Sequence, residues 1–279
     1  MVADPTDRRI RVIVNADDFG ISPGANRAIL RAHREGILTS TSLMVGAPAA
    51  AAAIEGARSN PTLGVGLHLT LACGRCTSPP KSISGLVDST GQFDDQPARA
   101  GLRYYLRRRW HPLIKQEMDA QFRAFAATGL PMDHLNGHLH FHLHPTVFGL
   151  IRRHWKNWNI RAVRLTRDSL GTSLRLARGR YFYRLSHTLI FDWLSARARA
   201  TLKLRQIRHA ELTFGLLEND QMSETYLVAL LERLTPGVFE VFFHPDEDRH
   251  QGELEALISP RVREVVERRG IELIRYQDL

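Results

Sequence analysis

Two aspartates stand side by side in VNADDFGIS, Val14 to Ser22. They end an apolar run, where neighbouring carboxylates are costly unless a cation compensates them. On a strand the two side chains diverge, so one can bind a metal while the other faces a water. An Asx-turn ahead of a helix at Ser22 is the plainer alternative. Imidazoles supply the rest of the chemistry. His68 lies in GVGLHLT, where Gly64, Gly66, His68 and Thr70 share one strand face and Val65, Leu67 and Leu69 the other. The glycine face leaves space beside the imidazole, although a hydrogen-bonded core histidine would fit the same pattern. DHLNGHLHFHLHP, Asp133 to Pro145, holds His134, His138, His140, His142 and His144. Imidazole is a common ligand for zinc, manganese, iron and nickel; a polar loop rich in histidine is the alternative. His244 closes the apolar run Val238 to Phe243. One Asp with two His leaves coordination positions open for water and substrate. The ion lowers the pKa of that water, and a second Asp can take its proton.

The elements that must position these residues alternate. Arg11–Asn15 reads as a buried strand, and Ser22-Pro23 as the cap and first position of a helix that Gly36 ends. Further strands are expected over 40–45, 64–70, 132–136, 161–165, 238–243 and 271–275. Helices are expected over 49–58, 99–129, 145–154, 175–206, 224–234 and 253–268, with a loop over 81–95. Such alternation gives a mainly parallel sheet covered by helices. Six or seven units suggest an α/β, TIM-like (β/α) barrel, irregular, with about seven strands; a doubly wound open sheet is the alternative. In either fold, sites form at the C-terminal ends of strands. Asp17-Asp18, His68, His138 and His244 all fall there. No repeat or linker divides the chain, so 1–279 reads as one domain with basic helical insertions near 99–129 and 170–210.

The chain has 279 residues, 43% apolar and 24% charged, which is ample for one large core. The polar start MVADPTDRRI lacks the apolar segment of a signal peptide, and no run reaches the ~18 apolar residues that span a bilayer. Two cysteines imply no disulfide framework. A cytoplasmic location is expected. The net charge of +9 is uneven, because Arg161 to Arg208 carries 12 Arg/Lys and only Asp168 and Asp192.

VNADDFG, Thr39-Ser40, GLHL, HLNGHLHFH and FFHP occur in the order and spacing of the YdjC-like carbohydrate deacetylases, from Arg11 to about Pro245. SISGLVDSTGQF (Ser82 to Phe93) and NGH in place of the more usual DSH resemble the hopanoid-biosynthesis-associated branch, which acts on an acetylated amino sugar carried by a hopanoid lipid. The resemblance implies a (β/α) barrel that removes N-acetyl groups with one divalent ion. Zinc suits best, with magnesium, manganese, cobalt or nickel also compatible. Carried over, Asp18, His68 and His138 are the ligands and Asp17 is the general base. His244 stabilises or protonates the tetrahedral centre. Arg164 and Arg167, in RLTRD, orient substrate or Asp17, and Asn136 and His140 join the substrate contacts. Asn136 stands where many relatives have Asp, which removes a charge there.

Cys73 and Cys76 form CGRC, weak evidence without two further ligands or a thioredoxin-like context. The segment RGRYFYRLSHTLIFDWLSARARATLKLR mixes arginines with Tyr181, Phe182, Tyr183, Phe191 and Trp193, and YYLRRRWHPLIK (Tyr104 to Lys115) resembles it. Basic aromatic helices read as membrane-surface binders, or as solvated helices whose aromatics pack on the barrel. The expected partners are an N-acetylated glycolipid and the inner membrane face, with a homodimer open. Two readings compete: a deacetylase of soluble chito-oligosaccharides, and a nucleic-acid-binding protein suggested by a pI near 10.1. No recognised nucleic-acid motif supports the latter.

Overall fold

A computed structural model describes residues 8–219 and 221–279. The polar start of the chain up to Asp7, read above as lacking a signal peptide, lies outside the described residues. Seven parallel strands form one sheet: β1 (Ile10–Phe19), β2 (Ser40–Leu43), β3 (Gly64–Leu69), β4 (Met132–Gly137), β5 (Leu212–Phe214), β6 (Gly237–Phe243) and β7 (Ile271–Ile274). Their order is β4-β3-β2-β1-β6-β5. β7 pairs with the first half of β1, Ile10 to Ile13, while β2 pairs with its second half from Asn15. β1 is therefore the central stave, and its apolar residues are fully buried.

The segment 161–165, expected as a strand, is not one. It still closes the gap between β4 and β5. Leu135 N–H donates to Ala162 O, Arg164 N–H to Leu135 O, and Thr213 N–H to Arg167 O. The result is an irregular TIM-like barrel in which one stave is held by isolated bonds. The short β5 went unread, because three residues give too little periodicity.

Ten helices among the described residues cover the barrel: α1 (Pro23–Glu35), α2 (Ala50–Arg58), α3 (Pro97–Leu106), α4 (His111–Ala127), α5 (Pro145–His154), α6 (Leu170–Leu176), α7 (Tyr181–Leu204), α8 (Glu224–Leu231), α9 (Gln251–Ile258) and α10 (Pro260–Arg268). Ser22 caps α1 by accepting from Ala25 N–H at 2.9 Å. Expected single helices break where backbone chemistry demands it. Pro112 sits in the first turn of α4, and Pro260 starts α10 after Ser259, whose hydroxyl accepts from Val262 N–H. No helix among the described residues is long and apolar enough to cross a membrane.

Candidate metal centre

β1 delivers both aspartates, and its backbone separates them. Its pairing with β2 shifts register between Ala16 and Phe19, and Asp18 takes a left-handed φ of 64°. A bulge of this kind re-aims side chains, and a non-glycine residue with positive φ is a strained feature that clusters at functional sites. Asp17 points into the barrel and is 2% exposed, while Asp18 is half-buried beside it. The chain leaves β4 in the same way: Leu139 and His140, directly after His138, both have left-handed φ, 53° and 59°.

Three side chains meet. Asp18 Oδ1 lies 2.9 Å from His138 Nδ1 and 3.2 Å from His68 Nε2. One ligand atom from each lies within 4.8 Å of the others. The proton on His68 can be placed. Asn136 spends its amide N–H groups on Asp17 Oδ1 (2.9 Å) and Ser42 Oγ (2.7 Å), so its Oδ1 faces His68 Nδ1 at 2.7 Å. His68 Nδ1 must donate, which leaves Nε2 in the neutral ring as a bare lone pair. A lone pair, a carboxylate oxygen and a second imidazole then converge. This donor set fits a divalent ion of the zinc type.

Asp17 is a different kind of carboxylate. Arg164 donates to both its oxygens, NH1 to Oδ2 at 2.5 Å and NH2 to Oδ1 at 3.0 Å; Asn15 and Asn136 donate to Oδ1. Burial pushes its pKa up, but Arg164 and then His68 outweigh this and hold it well below the usual carboxylate range. Arg164 is balanced on its other side by Glu240, which also accepts from Tyr276 Oη at 2.6 Å.

A cavity of about 640 Å³ opens over this centre. Asp17, Asp18, His68 and His138 line it together with His140 and His244. His244 is fixed by its backbone N–H, which donates to Glu253 Oε2 at 2.6 Å. His140 packs edge-on against Phe191 and Phe242, and burial with the nearby Arg164 drives its pKa well down.

Arg164 takes one of its two expected roles, orienting Asp17 and not substrate. Two expected substrate contacts lie elsewhere. Asn136 has no exposed surface, does not line the cavity and orients His68. Arg167 faces away, near Asp192 at 3.5 Å, and borders a second cavity. The glycine face of β3 is also occupied. A Cβ on Gly66 would fall 2.5 Å from the His134 ring, and one on Gly64 2.9 Å from Asp133. Sequence reasoning missed Asn15, Ser42, Asp133, Glu240 and Tyr276. Only Asn15 carried a signal, two residues before Asp17 on the same strand face. The cysteines remain free thiols whose pKa values are raised by burial and then by nearby acids.

The profile of the YdjC-like proteins matches residues 11–268. The chain belongs to the YdjC-like family. It is 31% identical to a carbohydrate deacetylase of Geobacillus stearothermophilus, over 95% of this chain and 96% of that one. It is 40% identical to a carbohydrate deacetylase of Brevibacillus brevis, but the match spans about half of each, 51% of this chain and 54% of the relative. A solved structure from Enterococcus faecalis V583, provisionally assigned to cellobiose-phosphate cleavage, superposes with a TM-score of 0.72. It is 25% identical and covers 97% of this chain and 98% of that one. The family resemblance and the barrel expected from the sequence are thereby established.

Proposed function

We propose that this protein is a metal-dependent carbohydrate N-deacetylase, with Asp18, His68 and His138 holding one divalent ion. The observation that carries this reading is the bare Nε2 of His68 facing Asp18 Oδ1 at 3.2 Å, beside His138, on the floor of an open cavity. Two carbohydrate deacetylases among the relatives support the substrate class. A bound ion supplies a Lewis acid that polarises the acetamide carbonyl and lowers the pKa of water. Asp17, oriented by Arg164, faces the attacking water and takes its proton. His244 serves the collapsing tetrahedral centre by giving a proton to the departing nitrogen. The C–N bond breaks, and the products are acetate and a free amino sugar. The whole of 1–279 works as one unit, with α3–α4 and α6–α7 as its basic helical insertions.

The finer substrate we infer is an amino sugar on a lipid of the hopanoid type, met at the inner membrane face. Exposed apolar side chains support this. Leu102, Tyr105 and Leu106 on α3, and Phe182, Leu189 and Trp193 on α7, are each at least 55% exposed. Ala98 and Gly101 of α3 and Ile190 and Phe191 of α7 line the cavity itself, so this apolar face adjoins its mouth. Arg103, Arg107, Arg108 and Arg109 are exposed beside it. A basic rim around apolar side chains suits an anionic bilayer surface better than a nucleic-acid backbone. Product analysis on N-acetylated glycolipids and soluble oligosaccharides tests both levels. Acetate released from glycolipids in preference to oligosaccharides is expected. Preference for soluble chito-oligosaccharides would remove the lipid, and no acetate from either would remove the deacetylase.

A further inference from the structure

Behind the centre lies a buried cluster that the mechanism does not use: Ser42, Asp133 and His134. Ser42 Oγ is 3.0 Å from His134 Nε2, and His134 Nδ1 is 3.0 Å from Asp133 Oδ2. The order Ser–His–Asp matches a nucleophilic triad. All three are at most 3% exposed and none lines the cavity over the centre, so a substrate bound there does not reach them. Their contacts point inward instead.

The protons in this cluster have one consistent placement. Ser42 Oγ accepts from Asn15 Nδ2 at 3.0 Å and Asn136 Nδ2 at 2.7 Å. Two donors fill its lone pairs, so its own proton must go to His134 Nε2. His134 then carries its proton on Nδ1, directed at Asp133. Asp133 is anchored by Ser40 Oγ at 3.1 Å and by Gln277 N–H at 2.9 Å. The His134 ring is clamped between the Cβ-less Gly66 and Tyr276, which stacks on it at 4.5 Å.

We propose that Asp133, His134 and Ser42 form a positioning relay that sets the tautomer of His68 and so the centre's readiness for a cation. The direction runs in one sense. Asp133 fixes the His134 proton, and His134 accepts from Ser42. Ser42 holds the amides of Asn136 and Asn15 with their N–H groups inward. Asn136 therefore turns its oxygen to His68 Nδ1, and His68 Nε2 is left bare towards Asp18. The same two amides each give Asp17 Oδ1 an N–H, so both carboxylates of the centre depend on Ser42. Outer partners of ligand histidines tune metal affinity by about 10- to 100-fold when removed. The relay rests on reading Asp18, His68 and His138 as ion ligands.

The test uses the full chain, ¹⁵N-labelled and stripped of metal, with long-range ¹H–¹⁵N spectra of the imidazoles. In the wild type, His134 should be protonated on Nδ1 and bare on Nε2, and His68 should carry a proton on Nδ1, towards Asn136. Ser42→Ala leaves the Asn136 amide held by Asp17 alone and should reduce the protonation of His68 Nδ1. Its zinc affinity, measured by competition with a chromophoric chelator, should fall about 10- to 100-fold while the circular-dichroism spectrum stays native. Wild-type His134 protonated on Nε2 would overturn the relay. So would a Ser42→Ala protein that keeps both the zinc affinity and the His68 tautomer. If Ser42→Ala does not fold, the wild-type spectrum decides alone. A wild type that binds no zinc would sink the ion-ligand reading instead, with the spectrum still judging the relay.

Discussion

A carboxylate buried as deeply as Asp17 would ordinarily hold its proton more tightly, and Arg164 reverses that. The pair is a charged unit buried at the floor of the cavity, and Glu240 completes it on the side away from the cavity. Removing one partner of a buried pair strands the others, at a cost of about 3–5 kcal/mol. Arg164→Met should therefore lower unfolding free energy by roughly that much in urea titrations, because Asp17 and Glu240 both lose their cation. Asp17→Asn is milder, since Glu240 still neutralises Arg164. That variant should fold and bind its ion, yet turn over about 100-fold more slowly, the usual scale for loss of a general base. Near-normal turnover with the ion at full occupancy would rule Asp17 out as the base.

Strands, not side chains, explain what the sequence could reveal. The types and strand-end positions of Asp17, Asp18, His68 and His138 were readable, because period-two patterning fixes faces within one strand. Register between strands was not. Ser42 meets Asn136 only because β2, β3 and β4 pair in the register they do. For the same reason the resemblance left Arg164 between substrate and Asp17: its stave makes only isolated bridges, so no strand pattern announces where it points. Gly66 carries a prediction at this scale. Gly66→Ala places a methyl within 2.5 Å of the His134 ring, where neither the ring nor Tyr276 behind it can yield freely. Overpacking of this kind costs about 1–3 kcal/mol. The thermal midpoint should fall accordingly, whereas Gly149→Ala, where a Cβ meets nothing within 4 Å, should leave packing undisturbed.

Over the whole molecule, acid should act earlier than carboxylate titration alone would bring. His142 and His144 are pushed down to about 3 and about 4, in each case chiefly by burial. The unfolded chain takes up their protons near pH 6.5, while the folded chain does not. Stability is therefore present above that value and is lost as pH falls from about 6.5 towards 4, at about 1.4 kcal/mol per pH unit for each histidine. Urea midpoints measured across that window check it; a flat profile would contradict the assignment. The basic segment also needs redrawing at this scale. Arg184, within the basic segment read as a membrane-surface binder, is 1% exposed and paired with Glu218 at 2.8 Å, so it belongs to the core. The candidate membrane contacts are Leu102, Phe182 and Leu189. Replacing each with Glu should weaken binding to anionic vesicles by about 10-fold, the scale of one apolar side chain leaving a lipid interface, without changing turnover of a soluble N-acetylglucosaminide. Equal losses on both would assign this face to folding. The central claim, an ion held by Asp18, His68 and His138 that serves N-acetyl hydrolysis, is tested most directly by acetate release from an N-acetylglucosaminide before and after chelation. The account predicts acetate and free amine in equal amounts, loss of both on stripping, and recovery with added zinc or a related divalent ion. Acetate release that survives complete removal of metal would contradict it.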